Sequence, residues 1–171
     1  HRRLGRAIQQ SSLQAWLKHI VPVQGRNLQW LAAWIDRQSG LPPITLSSFW
    51  GAGAAEAGEA AVAPSFTRKG KELLDALVQE LAQAYPDPGA LGGEQAGLDR
   101  WYRPAFFGAW HAFGSAFPKG EQRLRGRRAW QQIAARMASD DGPHFALFGR
   151  MASELEAVAA GQLPRVHAAL C

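Results

Sequence analysis

Histidines, cysteine and carboxylates are the side chains able to bind a metal or move a proton, and their spacing limits what they can do. A zinc hydrolase sets two histidines one helical turn apart with a glutamate between them. Here His1, His19, His111, His144 and His167 are widely separated, and no Cys or carboxylate cluster joins them. His111, between Trp110 and Phe113, reads as a wall or edge residue of an aromatic helix, and His144 as a solvated residue of a helical first turn. Cys171 is the last residue, a poor position for a held nucleophile, and a single cysteine builds no internal disulfide framework. Ser115, in Gly114-Ser115-Ala116, has no strand-to-helix elbow around it. Lys69-Gly70-Lys71-Glu72 lacks the earlier glycine and the closing hydroxyl of a phosphate loop. Gly51-Ala52-Gly53-Ala54-Ala55-Glu56 breaks the dinucleotide fingerprint at its third glycine. A sugar-hydrolysing pair would have to come from Glu94, Asp99, Glu121, Asp140, Asp141, Glu154 or Glu156, most of which read as surface charges or caps. The expectation is a chain without catalytic, cofactor-binding or metal-ligating residues.

Basic residues outnumber acidic ones by 19 to 14, a formal net charge of +5, and 15 of the 19 are arginine. That balance suits a polyanion partner or an arginine-rich solvated surface. Arg123, Arg125, Arg127 and Arg128 fall in one expected helix. Residues 123 and 127 would share one face and residues 125 and 128 another, so the two pairs point apart. A helix built to follow a polyanion favours one continuous stripe. Trp130 interleaves with these arginines but falls on the apolar stripe.

The elements that must position these residues are helical. Leu13, Trp16, Leu17 and Ile20 recur at helical steps over Ser12–Ile20, and Leu28, Leu31, Trp34 and Ile35 repeat the pattern over Asn27–Gln38, which Gly40 and Pro42-Pro43 terminate. Ile44–Trp50 suits a short strand or an extended loop, and Gly51–Ala63 an Ala/Gly-rich surface loop or a short helix. From Thr67 a helix with Leu73, Leu74, Leu77, Val78 and Leu81 on one stripe is capped by Ser65 or Thr67 and ends at Tyr85–Gly89. Glu94–Phe117 carries Leu98, Trp101, Tyr102, Ala105, Phe106, Ala109, Trp110, Phe113 and Phe117, a stripe wide enough for a central helix buried on more than one side. Pro104 predicts a kink or a break near Trp101. Glu121–Ser139 turns Leu124, Trp130, Ile133, Ala134 and Met137 inward. After the Asp140–Pro143 turn, Phe145, Phe148, Met151, Leu155 and Val158 form the last stripe.

The fold class expected is all-α: an irregular bundle of about six helices with a long Ala/Gly-rich loop. Residues 1–40 read as an N-terminal helical segment, 41–66 as an extended or loop connection, 67–160 as the main bundle and 161–171 as a tail. A start at His1 suits a processed chain or a piece of a longer one. The longest uncharged stretches, Gln38–Ala55 and Pro104–Pro118, suit no membrane span: the first holds Pro42-Pro43, and the second is shorter than the about 20 residues a span needs.

An ordered set of landmarks runs from about Leu41 to Val158. An extended Leu46–Trp50 segment and a Gly/Ala-rich break precede Phe66-Thr67-Arg68-Lys69-Gly70, which opens a helix. Then come Trp101-Tyr102-Arg103 with Trp110 and Phe113, the turn Phe117-Pro118-Lys119-Gly120, Trp130, and Gly142-Pro143-His144-Phe145 ahead of Met151 and Leu155. In this order the chain resembles the periplasmic region of the IcmF/TssM (VasK-like) subunit of the bacterial type VI secretion membrane complex. The resemblance implies a non-enzymatic structural segment on the periplasmic side of an inner-membrane-anchored protein. Its implied partners are other copies of the subunit, other membrane-complex proteins and the outer-membrane lipoprotein, with no nucleic acid. The family supplies no catalytic residues here. Two other functions fit the composition: a basic helical nucleic-acid-binding domain that depends on Arg123–Arg128, and an envelope peptidoglycan hydrolase that depends on a carboxylate such as Glu94.

Partner contacts are expected at Phe107, Arg123 and Arg127. Phe107 adjoins Phe106 and lies off the main stripe, so it either serves a second contact surface or is buried as well by a central helix. Trp, Tyr and Arg side chains not consumed by a core are the usual anchors of interfaces. Trp101, Trp110 and Trp130 read as core.

Overall fold

The computed structural model describes residues 27–51, 58–84, 91–137 and 139–159. The expected helix Ser12–Ile20, the middle of the Ala/Gly-rich loop, the Tyr85–Gly89 turn, the tail 161–171, and His1, His19, His167 and Cys171 lie outside these residues. Within them the fold is all-α, an irregular bundle of six α-helices with one very small sheet. In chain order these are α1 (Trp30–Gln38), β1 (Ile44–Thr45), α2 (Ser47–Trp50), β2 (Ala61–Val62), α3 (Arg68–Ala84), α4 (Gly92–Ala116), α5 (Gly126–Met137) and α6 (Pro143–Ala159). Two 3-10 segments, Pro64–Phe66 and Phe117–Arg123, turn the chain between them.

The stretch expected to be extended divides in two. Ile44 and Thr45 pair antiparallel with Val62 and Ala61, and the chain then winds at once into α2, so the Leu46–Trp50 segment is helical rather than extended. Its apolar spacing explains the winding. Leu46, Phe49 and Trp50 are all buried, and only a helical turn puts residues three and four apart on one side.

The α4 helix is the spine. Leu98, Tyr102, Phe106, Trp110, Phe113 and then Phe117 are buried at steps of three and four, while Arg103, Pro104, Phe107, Gly108, His111 and Ala112 are exposed. The helix is therefore buried along one side, not several. Nor does Pro104 break it: α4 runs through as one element of 25 residues. The acceptor that loses its donor is the carbonyl of Arg100, one turn back. Both residues are exposed, so water can serve that carbonyl.

A continuous contact path of aromatic rings follows the buried side. Phe66 meets Tyr102 at 5.7 Å between centroids, Tyr102 meets Phe106 at 6.1 Å, and Phe106 meets Trp110 at 6.4 Å. From Trp110 the path passes to Phe113 at 6.1 Å and on to Phe117 at 6.2 Å. Phe117 packs on Phe49 and Trp50, both at 5.4 Å, and on His144 at 5.3 Å. Edge-on and tilted geometries predominate, as the ring quadrupole favours. His144 thus keeps the exposure expected of it, with one ring edge joined to the core.

Around this spine, α1 packs on α3, and α6 packs on α2, α3 and α5. Leu74, Leu77 and Leu81 are buried on α3, with Leu73 and Val78 half-buried beside them. Two stripes differ from expectation. The expected helix Glu121–Ser139 is interrupted: a 3-10 segment ends at Arg123, Leu124 is extended, and α5 begins at Gly126 in a left-handed conformation, φ 83°. Only Ile133 of α5 is buried; Trp130 and Met137 are each 42% exposed and Ala134 is also outside. On α6, Leu147 and Glu154 take the buried side with Met151, Leu155 and Val158 half-buried, and Phe145 and Phe148 are exposed. Among the described residues no helix is long and apolar enough to cross a membrane.

Candidate interaction surface

The Phe66–Gly70 motif forms a corner to which the spine is tied. Thr67 Oγ1 accepts the amide of Gly70 at 3.1 Å and donates to the Pro64 carbonyl at 2.8 Å, so it caps α3 and closes the preceding turn together. Gly70 has to be glycine, because a Cβ there would lie 1.9 Å from the Pro64 carbonyl oxygen. Two aromatic side chains of α4 donate to the backbone of this corner: Tyr102 Oη to the Ser65 carbonyl at 2.7 Å, and Trp110 Nε1 to the Phe66 carbonyl at 3.0 Å. Burial pushes the Tyr102 phenol well above its ordinary pKa, and the carboxylates of Asp75, Glu154 and Asp36 add to the effect.

A second close approach fixes the Phe117–Gly120 turn. A Cβ on Gly120 would stand 2.2 Å from Trp50 Cδ1, so the missing side chain is what admits the indole. Trp50 Nε1 is buried against this turn without an acceptor among the described residues.

Three carboxylates tie distant parts of the chain by accepting backbone amides. Asp36 of α1 accepts the Ser65 amide at 2.8 Å. Glu59 accepts the Ser47 amide at 2.6 Å, at the start of α2. Glu154 of α6 accepts the Arg68 amide at the start of α3 and holds Arg150 Nε at 2.7 Å. A carboxylate facing the first amides of a helix satisfies an orphan donor and the positive end of the helix dipole. Glu154 is 3% exposed. This position explains the shifted stripe on α6: the Arg68 amide draws Glu154 inward and the phenylalanines turn outward. Periodicity could not reveal it, because a glutamate among apolar residues reads as polar and outside.

The expected contact residues are placed separately. Phe107 is 43% exposed and stands edge-on to buried Phe106 at 5.8 Å. Arg127 is exposed on α5. Arg123 turns inward: its guanidinium pairs with Glu59 and donates to Ser47 Oγ at 2.8 Å, and its side chain is 11% accessible. Residues 123 and 127 do not share a helical face, because the chain unwinds between them at Leu124. Sequence reasoning missed the exposed Trp130, Met137, Phe145 and Phe148. Met137 and Phe145 both line a small pocket of about 180 Å³ at the α5–α6 turn, and Phe148 lies one turn further along α6.

Electrostatics gives the surface one further feature. Beside α5 lies an open groove of about 720 Å³, walled by Trp50, Leu124 and Ile133 and bordered by Arg123, Arg125 and Arg136. Among the described residues no group of three or more His, Cys, Asp or Glu is placed to hold a metal ion. Comparison with known protein families, with curated proteins and with solved structures finds no match.

Proposed function

We propose that this chain is a structural, non-enzymatic segment of a type VI secretion membrane-complex subunit of the IcmF/TssM kind, working on the periplasmic side of the inner membrane. Its work is to hold neighbouring subunits in register across the envelope. The observation that carries the proposal is the ordered set of landmarks from Leu41 to Val158, together with what those residues do. The Phe66–Gly70 motif receives Tyr102 and Trp110 of the aromatic motif. The Phe117–Gly120 turn receives Trp50. Each is a packing device, and a segment that transmits mechanical load needs such fixed corners. Large apolar side chains left outside the core, Phe107, Trp130, Met137, Phe145 and Phe148, supply contact anchors.

The test is recovery of partners from solubilised bacterial envelopes with this chain as bait, read by mass spectrometry. Type VI membrane-complex subunits, or their lipoprotein, are the expected recovery. A folded bait that returns none of them would overturn the proposal. A basic nucleic-acid-binding domain predicts instead a captured polyanion that salt releases steeply.

A further inference from the structure

We infer that the groove beside α5 is a docking site for an acidic, apolar-faced segment of a partner protein. The inference rests on the assembly function for the kind of occupant, a protein, and on the groove for everything else. Charge comes first. Three arginines border the groove, and among the described residues its lining contains no carboxylate. Arg123 is engaged by Glu59. Arg125 has no hydrogen-bonding or ionic partner among the described residues, and Arg136 gives one N–H to the Asp141 carbonyl without meeting a carboxylate. Two cationic heads therefore stand at the rim with their charge uncompensated by any described acid, which favours an anionic occupant.

The walls then decide which anion. Ala129 and Ala135 of α5 join the buried Leu124 and Ile133 in an apolar inner side, so the occupant must bring apolar side chains as well as charge. A single-stranded nucleic acid would bring bases that stack on exposed aromatic faces, and the one aromatic in the lining, Trp50, is 1% exposed with its ring held by Phe117 and His144. A second copy of this chain is disfavoured by its own net charge of +5. α5 supplies the independent observation. It is amphipathic, yet among the described residues only its Ile133 is buried, and Ala129 and Ala135 of the same helix line the groove. An acidic amphipathic helix laid along α5 would complete that contact in the manner of a helix in a groove.

The experiment measures fluorescence anisotropy of a labelled peptide built of Glu and Leu, with Leu at i, i+3, i+4 and i+7, on the full chain. The peptide should bind. Replacing its Leu by Ser, or its Glu by Gln, should weaken it by about 10-fold or more, since both charge and apolar contact are needed. Arg125→Glu with Arg136→Glu should weaken the parent peptide by a similar factor (~10-fold). Ala135→Trp, which fills the groove and leaves the arginines in place, should block the peptide while the circular dichroism spectrum and Tm stay unchanged. Absence of binding, equal binding of the Ser peptide, or wild-type affinity in the variants would overturn the inference. Preference for a labelled single-stranded oligonucleotide over the peptide would assign the groove to nucleic acid and overturn it too. The two proposals fail separately. Envelope subunits recovered equally by wild type and by the double arginine variant would sink the groove alone. Peptide binding without recovery of those subunits would sink the membrane-complex function alone.

Discussion

A methyl group at Gly70 would stand 1.9 Å from the Pro64 carbonyl oxygen, and one at Gly120 2.2 Å from the Trp50 ring. The first neighbour is backbone and cannot yield without opening the corner. Gly70→Ala is expected to cost about 3 kcal/mol, at the upper end of overpacking penalties, and Gly120→Ala about 1–3 kcal/mol, measured by urea denaturation. A near-neutral Gly70→Ala would mean that the corner is not as tight as described. Tyr102 gives a pH prediction. Its phenol is raised by burial first and by three carboxylates second. An unfolded phenol ionises near pH ~10, whereas the folded one keeps its proton. Stability is therefore full below about pH 10 and falls as the pH rises beyond it, because the unfolded chain sheds a proton the folded chain retains. Tyr102→Phe removes this titration. It should lower stability at neutral pH by about 1 kcal/mol, through loss of the bond to the Ser65 carbonyl, and flatten the alkaline decline. An unchanged alkaline slope in the variant would refute the assignment.

At the scale of elements, α4 divides its adjacent aromatics cleanly. Trp110 is buried and bonded to the corner, and Phe107, less than a turn before it, is exposed. Trp110→Ala should cost about 3–5 kcal/mol, while Phe107→Ala should stay within about 0.5 kcal/mol; thermal melts separate the two. Equal losses would place Phe107 in the core. The contrast also shows what periodicity could reveal. The buried residues of α3 and α4 recur at three and four, so both helices were readable from the sequence, although α4 buries one side where more than one was expected; of the two expected caps, Ser65 or Thr67, Thr67 serves. α5 and α6 were read less well, for two physical reasons. Gly126 starts a helix where spacing alone ran one straight through, which separates Arg123 from Arg127. A backbone amide from another helix recruited Glu154, and a partner so distant leaves no periodic trace. Phe107 was legible as a position off the main stripe, and its exposure decides between burial and a place on the surface. The exposed phenylalanines of α6 and the groove were not legible, because both depend on how α5 and α6 pack.

Across the whole molecule, the Arg68–Glu154 tie spans 86 residues. Glu154→Gln keeps an acceptor for the amide but gives up its charge and the Arg150 pair, and should cost about 1–3 kcal/mol by urea denaturation. A stable variant would show that α6 is held by its apolar contacts alone. That span also orders events in time. Closing a loop of that length costs about 4 kcal/mol in chain entropy, before any constant term. A chain delivered N-terminus first can complete the Phe66–Gly70 corner and seat Tyr102 and Trp110 once α4 has emerged. It cannot seal the leading amide of α3 until residue 154 follows. Until then the helix start is an open donor site, and α6 is the latch that shuts it, so the last described helix to leave a ribosome or an export channel is the one that commits the fold.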